Sequence, residues 1–154
     1  MTTPLIMLAL MVAPYLVYRS RAAGAVGLAL LFIFTGSGHF LQTEVMAQML
    51  PPWVPARIPL VYATGVLELA VAIAFFLPDT RRTAGWMAAA VLVLFFPANI
   101  YAALNHVPMG GHAWGPVYLL VRGPLQLAIL GWVYWFTIKR PPRAIAREEV
   151  LTPI

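Results

Sequence analysis

Phe95-Phe96-Pro97-Ala98-Asn99-Ile100-Tyr101 decides how this chain folds. The stretch lies inside an apolar run, about Thr83 to Leu104, yet it carries a proline and an asparagine. A run that only filled lipid would need neither. An amide surrounded by hydrocarbon must find a polar partner, because burying it without one is costly. At ~1.5 Å per residue the run is long enough to cross a ~30 Å hydrocarbon core.

Working outward, four further apolar runs appear: about Leu5 to Tyr18, Ala22 to Gln42, Pro59 to Leu77 and Val117 to Ile138. All but the first have the ~20 residues a membrane-crossing helix requires. The first is shorter and contains Pro14. Met1-Thr2-Thr3-Pro4 offers no positive lead-in and Arg19-Ser20-Arg21 no cleavage site, so the expectation is a short or tilted span rather than a signal peptide.

Composition agrees. Of 154 residues, 62% are hydrophobic and 10% charged, against about 45–50% and about 25% in soluble domains. Mean hydropathy is +0.83. The chain has no cysteine, which excludes disulfides, thiol chemistry and cysteine-held metals. Its pI near 10.1 would suit nucleic acid, but the basic residues sit at the ends of apolar runs, where they act as topology signals, and no nucleic-acid partner is expected.

Arg19, Arg21, Arg81, Arg82, Lys139, Arg140, Arg143 and Arg147 fall on one side if the N-terminus is outside. Arg57 alone falls opposite, and Arg122 lies within the last run. The positive-inside rule then predicts five spans, N-terminus out and C-terminus in. The location expected for such a multi-pass chain is the cell membrane, a prokaryotic inner or plasma membrane. Trp53, Tyr62, Tyr101, Trp114 and Tyr118 would mark the outer interface. Tyr15, Tyr18, Trp86, Trp132, Tyr134 and Trp135 would mark the inner one. The organisation expected is an added N-terminal span and basic turn (1–21), a four-helix transmembrane core (22–138) and a basic cytoplasmic tail (139–154). The fold class is all-α integral membrane.

In the loop after the second run, Thr43 is placed to cap a short interfacial helix with Glu44 near its positive end, and Pro51, Pro52 and Pro55 end it. Small residues four apart, Gly85 with Ala89 and Ala98 with Ala102, and the glycines Gly24, Gly27, Gly36 and Gly38, mark seams where helices approach closely.

The polar residues within the runs are few: His39, Thr64, Glu68, Asn99, Arg122 and Gln126. With the expected topology they lie in the outer half or at the centre, His39 ~5 Å, Asn99 and Arg122 ~8 Å, and Glu68 and Gln126 ~14 Å from the outer end. Thr64 and Glu68 are one helical turn apart, as are Tyr118, Arg122 and Gln126. A lone Glu or Arg in mid-bilayer costs roughly 2.5–3.5 kcal/mol on insertion scales, which turns both inward. Arg122 would then aim its guanidinium at Glu68, Asn99 and a bound anion. Pro97 and Pro124 strip the carbonyls of Val93 and Leu120 of their N–H partners, which suggests kinked helices around a cavity. Three readings stay open: a network that fixes helix register, a binding site for a quinone, lipid or similar ligand with a polar head, and acid–base catalysis by Glu68. His39, His106 and His112 also fall on the outer side, and with Met109 and Glu44 they offer a copper or zinc site as a further reading, without a motif's spacing.

These residues resemble the DoxX-like membrane proteins over about Ala22 to Phe136. The resemblance rests, in order, on Gly36-Ser37-Gly38-His39-Phe40, Leu50-Pro51, Gly65-Val66-Leu67-Glu68-Leu69, Arg81-Arg82-Thr83-Ala84-Gly85, Phe96-Pro97-Ala98-Asn99-Ile100-Tyr101 and Arg122-Gly123-Pro124-Leu125-Gln126. It implies a four-helix core with the first span added, and signature polar positions at His39, Glu68, Asn99, Arg122 and Gln126. It also implies an accessory role beside redox complexes such as terminal oxidases and thiosulfate–quinone oxidoreductases. With no cysteine and no haem-ligand pair within one span, the chain is not expected to carry electrons itself. The leading expectation is a non-enzymatic accessory subunit of a membrane complex with a quinone- or lipid-binding pocket, its cofactor unspecified. The alternatives are a small membrane enzyme or carrier acting through Glu68, Asn99 and Arg122, and an assembly factor.

Overall fold

The computed structural model describes residues 2–139. The rest of the expected basic tail, with Arg140, Arg143 and Arg147, lies outside the described residues. The elements are α1 (Thr2–Tyr18), α2 (Arg21–Leu41), α3 (Thr43–Gln48), α4 (Arg57–Phe76) and α5 (Arg81–Leu104). A 3₁₀ segment (His112–Tyr118), α6 (Leu119–Val133) and a π-helical turn (Tyr134–Ile138) follow, continuous with one another. Four helical stretches are long and apolar enough to cross a membrane: α2, α4, α5 and the composite His112–Ile138. The apolar α1 has 17 residues, fewer than a usual span, and keeps Pro14 in its interior.

Local chemistry sets the ends. Ser20 Oγ accepts the Ala23 N–H at 3.1 Å and starts α2. Arg81 Nε donates to the Phe75 carbonyl at 3.0 Å, so the first residue of α5 closes the last turn of α4. Thr43 does not cap α3 as expected. Its hydroxyl donates back to the His39 carbonyl at 2.6 Å and so closes α2 instead. Gln42 holds the cap position of α3, and Thr43 is already its first helical residue.

Lipid offers helices no hydrophobic drive to associate, so close backbone approach matters most. α2 is the central element. On one side α1 lies so close that a side chain at Gly27 would strike the Met11 backbone. On another, a Cβ at Gly65 of α4 would lie 2.6 Å from the His39 Cβ. Between these seams sits the dry core, with Met11, Leu28, Leu31, Val71, Phe75, Ile129 and Val133 fully buried.

The aromatic residues divide. Tyr18, Trp53, Tyr62, Trp86, Trp114, Tyr134 and Trp135 are exposed. Tyr15, Trp132 and Tyr118 are more buried. Tyr15 packs edge-on to Trp132 and Phe136, and Trp132 Nε1 donates to the Gly24 carbonyl at 3.2 Å. These contacts tie α1 and α2 to the C-terminal end of the bundle. Tyr118 is buried against His112.

Candidate functional site

Two polar pairs form, on two different seams. The first lies between α2 and α4, where Gly36 and Gly65 let the backbones approach. Glu68 is buried there, and its Oε2 accepts the Thr35 hydroxyl at 2.5 Å. Its Oε1 lies 3.5 Å from His39 Nε2, an ion-pair distance rather than a direct hydrogen bond. His39 Nδ1 lies 3.0 Å from the Val61 carbonyl oxygen and 3.1 Å from the Thr64 hydroxyl. A carbonyl oxygen only accepts, so we assign a proton to Nδ1. Nε2 then faces the Glu68 carboxyl group.

The second pair lies between α5 and α6. Arg122 Nε donates to Asn99 Oδ1 at 3.0 Å, and Asn99 Nδ2 donates to the Phe95 carbonyl at 2.9 Å. Asn99 is therefore satisfied at both ends of its amide, which is why an apolar run tolerates it. Gln126, one turn below Arg122, donates through Nε2 to the Leu92 carbonyl of α5. It is this carbonyl, and not that of Val93 freed by Pro97, that a side chain satisfies. α5 runs through Pro97 as one helix, with Val93 itself exposed.

The expected Arg122–Glu68 pairing does not form among the described residues. The carboxylate is engaged by His39 and Thr35 across the glycine seam, while α6 presents Arg122 to α5. The guanidinium charge still bears on Glu68, and on Tyr118 and His112. Only Nε of the guanidinium has a hydrogen-bond partner among the described residues. The five expected residues thus divide into His39–Glu68 on one seam and Asn99–Arg122–Gln126 on the other. Thr35 and His112 join them. Thr35 was findable as the residue one turn before His39 on the same face. His112 looked like loop sequence.

The expected cavity is not one of the two surface concavities that stand out. The first, about 380 Å³, is lined by Glu44, Ala47, Gln48, Ala56, Arg57, Ile58 and Pro59. The second, about 360 Å³, lies between α1 and Leu30 of α2. None of the five residues lines either. Nor do the three histidines gather into one set of metal ligands among the described residues. His39 is held by Val61 and Glu68, and His112 Nδ1 lies 2.7 Å from the Met109 carbonyl. No group of three or more candidate ligands occurs among the described residues.

The Gln126 contact gives a direct stability test. Replacing Gln126 with Leu should cost about 0.6–1.7 kcal/mol, from the average to the maximum measured for polar contacts between membrane helices. Equilibrium unfolding in mixed detergent reads it. Unchanged stability would mean that the Leu92 contact contributes nothing.

No curated protein and no solved structure matches the chain. One family model does, over residues 28–137, which takes in most of α2 and everything from there to the π-helical turn, and leaves out α1. The chain belongs to the family described as domain of unknown function (DUF8561).

Proposed function

We propose that the chain is a non-enzymatic accessory subunit of a larger, redox-linked membrane complex. It crosses the membrane five times, N-terminus out and C-terminus in. The outer half of its bundle holds the polar head of a quinone- or lipid-like amphiphile. One observation carries the binding part. Arg122 sits in an apolar span with a single, neutral protein partner among the described residues, and the carboxylate that would neutralise it is engaged elsewhere. A guanidinium in that position is costly unless something polar meets it. The accessory role rests on the absence of cysteine and of any haem-ligand pair within one span, and the redox link on the resemblance to DoxX-like proteins.

Gentle extraction from the native membrane followed by native mass spectrometry tests this. The expected result is recovery at fixed stoichiometry with larger partners and one retained amphiphile. Recovery as a lone, empty chain would contradict it and leave the polar pairs as register-fixing contacts. A second reading, a small membrane enzyme or carrier, is favoured by the Thr35–Glu68–His39 chain, which holds a carboxylate between two orienting groups as an acid–base catalyst requires. It requires activity in the isolated protein that Glu68→Gln abolishes.

A further inference from the structure

The concavity of about 380 Å³ between α3 and the start of α4 takes no part in either polar pair, and residues of opposite charge line it. Glu44 and Gln48, one turn apart on α3, form one wall with Ala47. Arg57, Ile58 and Pro59, the first three residues of α4, form the other. Glu44 is exposed. The one ion pair among the described residues is His39–Glu68, so Glu44 and Arg57 line the same space without joining to each other. The one hydrogen bond of the Arg57 side chain among the described residues is a long one, from Nη1 to the Leu50 carbonyl at 3.5 Å. Most of its five N–H donors are left for a ligand.

Opposite charges held apart across an open space suit a ligand that carries both. A carboxylate accepts hydrogen bonds and a guanidinium donates them. The matching ligand is a zwitterion, with an ammonium group for Glu44 and a phosphate for Arg57. The volume falls within the ~300–1,000 Å³ of small-molecule sites. Two observations make the zwitterion the head of a lipid. Ile58, Tyr62, Val66 and Ile73 share one exposed face of α4, an apolar track that leads from the concavity along the span. Trp53, 80% exposed in the loop between α3 and α4, carries the amphipathic ring that settles at head-group depth.

We propose that Glu44 and Arg57 form a head-group site for phosphatidylethanolamine. The ammonium group lies on the Glu44 carboxylate, the phosphate on the Arg57 guanidinium and an acyl chain along the Ile58–Tyr62–Val66 face. Phosphatidylcholine fits less well. Its trimethylammonium has no N–H to give Glu44 and is held instead by aromatic faces, and no aromatic residue lines the concavity among the described residues. Phosphatidylglycerol offers Arg57 its phosphate but brings no cation to Glu44. This site shares no residue with the one at Arg122, and neither depends on the other.

The test uses the full chain in nanodiscs of equal parts phosphatidylethanolamine, phosphatidylcholine and phosphatidylglycerol, with retained lipid counted by native mass spectrometry. Wild type should retain phosphatidylethanolamine over phosphatidylcholine by about fivefold, the upper range for one exposed ion pair. Glu44→Gln should abolish that preference and raise the share of phosphatidylglycerol. Arg57→Gln should lower retention of all three, and Arg57→Lys, which keeps the charge, should restore part of it. Glu44 is exposed, so its variant should fold normally and decides the matter should Arg57→Gln fail to fold. Equal retention of the three lipids by wild type would overturn the site, as would a preference for phosphatidylethanolamine that survives Glu44→Gln. Displacement of the lipid by equimolar O-phosphoethanolamine would overturn the lipid as occupant, since the acyl chain would then contribute nothing. An amphiphile whose retention depends on Arg122 is counted separately, because Glu44→Gln should leave it in place.

Discussion

Leucine in place of Gly65 should force α2 and α4 apart and destabilise the protein by about 2–4 kcal/mol. A Cβ at position 65 would lie 2.6 Å from the His39 Cβ and 2.9 Å from the Phe40 ring. The His39 Cβ is fixed to the α2 backbone, so a rotamer change cannot relieve the clash and the helices must move apart. Overpacking alone costs about 1–3 kcal/mol. Moving the helices also breaks the Thr35–Glu68 and His39–Val61 contacts across the same seam, each worth about 0.6 kcal/mol on average in membrane proteins. The total, about 2–4 kcal/mol, is a large share of a typical stability of about 5–15 kcal/mol. Gly131 is the control. It lies in α6, and a Cβ there would meet nothing within 4 Å, so Gly131→Leu should leave stability unchanged or raise it slightly. Unfolding in mixed detergent, read beside size exclusion, compares the two. Equal effects would mean that the α2–α4 seam is not where the fold is held.

Glu68→Leu should cost about 1–3 kcal/mol, the penalty of leaving buried polar groups without partners. The groups stranded are the Thr35 hydroxyl and His39 Nε2. Glu68→Gln should cost much less, because the amide oxygen still accepts from Thr35 and the amide N–H₂ can meet His39. The difference between the two variants is the informative quantity. If Glu68 were instead the counter-ion that keeps Arg122 in the membrane, Gln would be nearly as harmful as Leu, since both remove the charge. In an Arg122→Gln background the penalties of both should then vanish, whereas pairing with His39 and Thr35 leaves the Leu penalty intact. Equilibrium unfolding of the single and double variants separates these cases.

The spans were legible because their signals are local. Length, charge at the ends and loop prolines placed each of the four long helices, and only the last begins well before its expected start, since a 3₁₀ segment with Gly115 at φ 74° precedes α6. Gly27 and Gly85 were legible as seam positions for the same reason. Which polar residue meets which was not legible. These helices are apolar on the lipid face and on the core face alike, so periodicity does not say which way Glu68 or Arg122 points. Their azimuths follow from the glycine contacts, which turn Glu68 toward α2 and leave Arg122 facing Asn99. His112 was hidden differently. Its burial depends on the turn at Gly110 and Gly111, both at positive φ, which folds the segment back onto Tyr118.

The proposed amphiphile site needs the polar pairs to lie in the outer half of a membrane-crossing bundle, and labelling of single cysteines in intact cells tests that most directly. The natural chain has no cysteine, so each variant carries one thiol. Thr2→Cys, Glu44→Cys and Trp114→Cys, all at exposed positions, should react with a membrane-impermeant maleimide from outside. Ser20→Cys and Asp79→Cys, also exposed, should react only after the membrane is opened. Labelling of Thr2→Cys together with the second group would reduce the five spans to four. Labelling of Glu44→Cys and Asp79→Cys from the same side would contradict the transmembrane bundle itself.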